Sequence, residues 1–303
     1  MTKTALVYCE EATNHDTGGH HPESSLRPPA IRQALRDRRM DVPELRPEAA
    51  TVEDLLRNHS RDHIDLIKAA CLDGEEYPDP DTVMGPGSWD AALLSAGAGI
   101  TAARALLDGQ IDNAFVIMRP PGHHAEHDAA LGFCLFNNIA VTARWLQANG
   151  AEKKIGILDF DVHHGNGTQH AFYDDDTVLF ISLHEYPLFP GTGYPYELGK
   201  NNTNLNFQMP PGCPPEQWLN TIRDIAVPQL ETFAPDFLLL SAGFDAHHLD
   251  PLGNQRLESE HFGEITRMVK HIADGRIISF LEGGYHLDAL GESAAEHVQA
   301  LME

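Results

Sequence analysis

The chain has 303 residues, of which 45 are acidic and 21 basic, for a formal net charge of -24. Such a balance disfavours direct binding to nucleic-acid phosphates, and the length suits one large α/β domain with a sizeable core, residues 1–303 being read as a single domain. No signal peptide, internal repeat or apolar run long enough to span a membrane is apparent, and Cys9, Cys71, Cys134 and Cys213 show no C-x-x-C spacing, so a reduced, cytoplasmic setting is expected.

Along the chain, compact apolar runs predict strands at Thr4 to Tyr8, Ala114 to Met118, Lys154 to Leu158, Val178 to Leu183, Phe237 to Leu240 and Ile277 to Leu281. Amphipathic stretches at Trp89 to Leu107, Ile139 to Ala148 and Pro215 to Phe233 predict helices between them. The alternation implies a mostly parallel sheet covered on both faces, whose ligands bind beyond the carboxyl ends of its strands. Solubility explains the acidic surface more readily than steering of a basic substrate does. Glu75, Glu76 and Asp79 to Asp81, on a short Pro-rich loop, are the acids best placed for steering.

Four strand ends carry chemistry. The first runs from Asn113 into Arg119-Pro120-Pro121-Gly122-His123-His124, where a rigid turn projects adjacent imidazoles suited to taking and returning a proton. Chance pairs are common in a chain with 18 histidines, as His20-His21, His163-His164 and His247-His248 show, but only His123-His124 follows a strand and a Pro-Pro-Gly turn. The second is Asp159-Phe160-Asp161-Val162-His163-His164-Gly165-Asn166. Residues two apart along a strand face the same way, so Asp161 and His163 are expected to point at one cation, with Asp159 on the same side but deeper. Asp245 follows the strand ending near Leu240 and supplies a third ligand, leaving a position open as in catalytic zinc sites; ferrous iron is the other metal such donors accept. Beyond Leu281, Glu282-Gly283-Gly284-Tyr285 offers a phenol able to donate to a developing oxyanion, although an ordinary packed Tyr fits the same residues.

This ordered series, from His21-Pro22-Glu23 with Arg27 through Gly132-Phe133-Cys134 and Pro190-Gly191-Thr192-Gly193 to Tyr285, resembles the histone deacetylase family over nearly the whole chain. The resemblance implies the arginase/deacetylase type of α/β fold, zinc on Asp161, His163 and Asp245, a catalytic pair His123 and His124 backed by Asp159 and Asn166, and Tyr285 polarising the scissile carbonyl. It also implies a potassium site around Asp159, Asp161, His163, Ser182 and Leu183, and an acetate exit beside Arg27. The substrate tunnel would be walled by Gly132, Phe133 and Phe189, with Leu252 at a neutral mouth and Asp81 gripping substrate backbone at the rim. Asn166 stands where class I enzymes carry Asp, so the chain resembles the class II branch, including bacterial-type histone deacetylase-like amidohydrolases.

Acyl-lysine in a peptide or protein is the expected substrate, with acetylpolyamines as the alternative; the short loop from Leu72 to Ser88 favours the wider, lysine-type site. A binuclear ureohydrolase of the same fold type would need an acid where Gly165 stands, and a non-catalytic acyl-lysine binder would not need the full catalytic set.

Overall fold

The structure, a computed structural model, describes residues 2–73, 77, 79–149 and 153–303; Glu75 and Glu76 lie outside these. Eight strands form one sheet among the described residues: β1 (Thr4–Val7), β2 (Glu44–Leu45), β3 (Asn113–Val116), β4 (Ile155–Asp159), β5 (Val178–Glu185), β6 (Asn204–Met209), β7 (Phe237–Ala242) and β8 (Ile277–Leu281). Their order is β2-β1-β3-β8-β7-β4-β5-β6, and every pairing is parallel. Each residue of β4, β7 and β8 is buried, which is what continuous apolar runs require when helices cover both faces. The expected strands and helices are all present, and β3, β8, β7 and β4 stand side by side at the centre, so their loops meet above the sheet.

Three differences from the sequence reading have local causes. β6 was not expected because Asn204, Asn206 and Gln208 interrupt any apolar run; Asn204 and Asn206 are nevertheless buried, and both donate to Gln169 Oε1, at 3.0 and 2.7 Å. The helix expected over Pro215 to Phe233 contains a wider π turn at Ile222–Ala226, in which Val227 N–H reaches Ile222 O. Pro228 has no N–H to give and its ring would crowd the carbonyl four residues back, so loosening the preceding turn lets the helix continue. Finally, the helix Ser88–Leu107 is long and apolar enough to cross a membrane, contrary to expectation. Its apolar character serves the core instead: 67% of the apolar window is buried, and it packs on the helix Asn138–Ala148.

Several imidazoles are enclosed in this core. Burial lowers His15 and His164 to about 4 and His59, His184 and His297 to about 3, so all five stay neutral when the unfolded chain would begin to protonate. A depressed folded pKa gives stability that is present above the unfolded value and lost as pH falls towards the folded one. Stability to urea should therefore decline between about pH 6.5 and pH 4.5, each group contributing up to about 1.4 kcal/mol per pH unit. His297→Gln should reduce that slope by about one proton, measured as urea midpoints across the range. A flat profile down to pH 5 would count against this account.

Candidate active site

The second strand end does not converge as a continuing strand would. β4 stops at Asp159, and the backbone bends through Asp161 to His163, so strand alternation does not bring the two side chains together. The bend itself does so: Asp161 Oδ1 accepts His163 N–H at 2.8 Å and lies 3.1 Å from His163 Nδ1. Asp245, three residues beyond β7, brings Oδ2 to 3.2 Å from the same Nδ1. Donor atoms of Asp161, His163 and Asp245 lie within 4.8 Å of one another, and both carboxylates are fully buried.

This donor set fits a divalent cation. Two carboxylates facing one imidazole in a dry setting carry a net charge of about minus two, which one dication neutralises while leaving His163 free to bind as a neutral ligand. Without a cation the same charges act on the ring. Burial alone would lower the His163 pKa, but hydrogen bonds to Asp161 and Asp245 raise it to about 10.

The histidine pair lies against this cluster. His123 Nδ1 is 2.9 Å from Asp159 Oδ2, and His124 Nδ1 is 2.8 Å from Asn166 Oδ1. Burial opposes charge on both rings. For His123 the Asp159 and Asp161 carboxylates prevail and raise its pKa to about 10, whereas His124 is driven well below the ordinary value by burial and by His123 and His163. Tyr285 reaches the site from the loop after β8, where Asp250 Oδ2 accepts its backbone N–H at 2.6 Å, and burial pushes its phenol well above 10.

A cavity of about 280 Å³ connects these groups to solvent, lined by Gly132, Phe133, Leu188, Phe189 and Leu252, with His124, His163 and Tyr285 at its inner end and Asp79 and Asp81 at its rim. The Phe189 ring meets His124 edge-on at 5.1 Å, and Phe133 meets Tyr285 likewise at 5.9 Å. Gly132 has φ +55°, and a Cβ there would overlap the His124 and Phe189 rings, so only glycine lets the wall pass this close to the base of the cavity. Phe133 follows at φ 71°, an unfavourable conformation for a non-glycine residue, and its N–H donates to Thr82 Oγ1, whose hydroxyl donates to Asp79 Oδ2. Asp79 therefore braces the wall, while Asp81 is exposed at the rim.

The remaining expected residues are near but distinct in position. Arg27 is fully buried behind Tyr285, its guanidinium carbon 5.0 Å from the ring centroid, and it donates to Gly284 O, Glu282 O and Glu23 Oε1. Ser182 pairs with Asp159 in the β4–β5 register, with Leu183 next to it. Gly165 packs so closely on the His123–Asp159 pair that a Cβ would overlap Asp159 Oδ2, leaving no room there for the acid a second metal needs. Two residues were not anticipated: Leu188, an apolar wall residue with no motif of its own, and Glu282, quoted only as part of a motif. Glu282 is buried, with Oε2 accepting N–H from Gly122 and His123, and a strand-terminal acid followed by two glycines was the available signal.

A buried Asp-His-Asp cluster, a histidine pair with unlike partners and a tyrosine at the end of an aromatic-walled cavity define a hydrolase site on a parallel sheet. The histone deacetylase domain matches residues 21–301, and the chain belongs to that family. Its relatives include a probable deacetylase of Archaeoglobus fulgidus, 39% identical over 94% of this chain and 82% of its own length. A histone deacetylase-like amidohydrolase of Pseudomonas aeruginosa is 41% identical over 78% of this chain and 64% of its own. The crystal structure of the HDA15 HD domain superposes with a TM-score of 0.94 at 34% identity, covering 99% of this chain and 89% of that one. The chain is thus an enzyme of the deacetylase and amidohydrolase group, with the fold of that family.

Removing Asp245 deletes one of two carboxylates in the cluster. Asp245→Ala, purified as folded protein and loaded with a divalent metal, is expected to retain less than one equivalent by elemental analysis; a full equivalent would mean the ligand set is elsewhere.

Proposed function

We propose that the protein is a zinc-dependent amidohydrolase that removes acetyl or other acyl groups from the ε-amine of lysine side chains. The observation that carries this reading is the cavity: it is aromatic at Phe133 and Phe189, neutral at Leu252, and ends on the Asp161-His163-Asp245 cluster beside His124 and Tyr285. A methylene stem between aromatic rings, with its acyl carbonyl at the bottom, suits that shape. Asp81 at the rim would accept N–H groups of substrate backbone.

When bound, zinc supplies a Lewis acid that polarises the acyl carbonyl and acidifies the attacking water. His124 is neutral at ordinary pH, and with Nδ1–H held by Asn166 its Nε2 lone pair faces the cavity to take the water's proton. Tyr285, protonated throughout, donates its hydroxyl hydrogen to the oxyanion as charge develops. A histidine of the pair, in which His123 is hydrogen-bonded to Asp159, then returns a proton to the leaving amine. Arg27 would then draw acetate away beneath Tyr285, and potassium would bind near Asp159, Asp161, His163, Ser182 and Leu183 as a structural cation. Native iron in place of zinc would leave these roles unchanged.

Turnover of acetyl-, trifluoroacetyl- and longer acyl-lysine peptides against acetylputrescine, acetylcadaverine and acetylspermidine tests the substrate class. Higher kcat/KM on the peptides is expected; preference for the polyamines would move the enzyme to the acetylpolyamine amidohydrolases, whose cationic substrates the rim acids Asp79 and Asp81 would also favour. With the better substrate, His124→Ala should lower kcat by about 10² to 10⁴ and do more damage than His123→Ala. Tyr285→Phe should lower kcat by about 10² or more, with zinc content and KM little changed, because its hydrogen bond strengthens in the transition state. Near-native turnover by Tyr285→Phe would reduce Tyr285 to a packing residue.

A further inference from the structure

Behind His124 lies a hydrogen-bonded chain that extends past Asn166 to the surface. Asn166 opens the helix Asn166–Phe172, and His170 follows one turn later on the same face. Between these two side chains sits the carboxylate of Glu126, from the loop that leaves His124. One of its oxygens accepts an N–H from Asn166 Nδ2, and His170 Nδ1 lies 2.9 Å from both. The Asn166 amide nitrogen also donates to His124 O at 3.1 Å. The Glu126 side chain is 21% exposed and that of His170 55%, so the chain runs from the buried ring to solvent, beside a surface pocket lined by Arg57, His127 and Arg144.

An asparagine is ambiguous where an aspartate is not. Turned one way it offers His124 an oxygen; turned the other, an N–H. Only the first requires the proton on His124 Nδ1 and leaves a lone pair on Nε2 towards the cavity. An ionised carboxylate and a backbone carbonyl can only accept, so Glu126 and His124 O together demand the amide nitrogen and fix the oxygen on the ring.

We propose that Glu126 is a positioning residue for His124: by holding the Asn166 amide it sets the imidazole tautomer that can act as a base. The proposal rests on the reading of His124 as the base, and its kinetic arm shares that dependence, whereas the tautomer itself is readable without turnover. His170 supports Glu126 by donating to both of its oxygens.

The test is a set of variants examined by long-range ¹H–¹⁵N correlation spectra of the imidazoles and by steady-state kinetics of the zinc-loaded enzyme. The wild type and Glu126→Gln, whose amide oxygen can still accept from Asn166, should both show His124 as the Nδ1–H tautomer. Glu126→Ala should show a mixture, with kcat lowered about tenfold while KM, melting temperature and zinc content stay close to wild type, the scale on which partners one step removed from a site act. Glu126→Gln should retain at least about half the wild-type kcat. Asn166→Asp should be impaired, because two carboxylates then face each other, and Glu126→Gln added to it should restore turnover, reversing the sign of the Glu126 substitution. An unchanged tautomer in Glu126→Ala overturns the proposal, as does equal damage from Gln and Ala, or no recovery in the double variant. If the wild type hydrolyses none of the acylated amines, the amidohydrolase reading fails, and the spectra still decide what Glu126 does.

Discussion

Five carboxylates, those of Glu23, Asp159, Asp161, Asp245 and Glu282, are withdrawn completely from solvent at the carboxyl ends of the sheet. Each buried charge costs several kcal/mol unless it is met by an opposite charge or by N–H groups, and the loops are built around meeting them. Glu23 is gripped by Arg119 and Arg27, and although burial would raise its carboxyl, Arg119 holds it down to about 2. Asp159 has His123, whose pull keeps its carboxyl near 6 against a larger effect of burial. Glu282 accepts N–H from Gly122 and His123, but burial outweighs these and the attraction of the His123 ring and lifts it to about 7.

These contacts also tie the site together. Asp161, from the loop after β4, accepts Gly283 N–H from the loop after β8 at 2.7 Å. Asp245, after β7, accepts Val162 N–H from the β4 loop at 2.9 Å, and Glu282, after β8, holds the turn carrying the histidine pair after β3. Four neighbouring strand ends are cross-linked by these three acids, two of which, Asp161 and Asp245, belong to the cluster that can hold a cation. Cation affinity and loop geometry are therefore coupled: the carboxylates are pre-positioned by backbone donors, and a bound dication would relieve the repulsion that remains between them.

What was legible in the sequence follows from this arrangement. Fully buried strands in a parallel sheet read as short apolar runs, and acids or imidazoles at the end of such a run have no packing reason to be there, so Asp161, His163, Asp245 and His123-His124 stood out. The polar edge strand β6 was invisible because its buried Asn204 and Asn206 donate to Gln169, a partner far away in sequence. Strand alternation was also the wrong reason for pairing Asp161 with His163, since side-chain capping of the bend brings them together. Leu188 and Glu126 carried no signal: one is an ordinary apolar residue in a loop, and the other gains its place only when the helix beginning at Asn166 turns His170 towards it.

The pair at His123 and His124 shows how much chemistry depends on what stands behind a ring. The two imidazoles are adjacent in sequence, both nearly inaccessible, and 4.0 Å apart between centroids. Desolvation penalises charge on both, so burial alone would leave both neutral. Asp159 supplies a charge that reverses this for His123, and the resulting imidazolium then adds to the forces keeping its neighbour neutral. An aspartate at position 166 would oppose that division by favouring a second imidazolium beside the first. Asparagine orients His124 without doing so, and the negative charge of Glu126 is kept one residue further away, where it fixes the amide while weighing less on the ring. The unlike charge of two adjacent imidazoles is thus set by whether the side chain behind each ring ends in a carboxylate or in an amide.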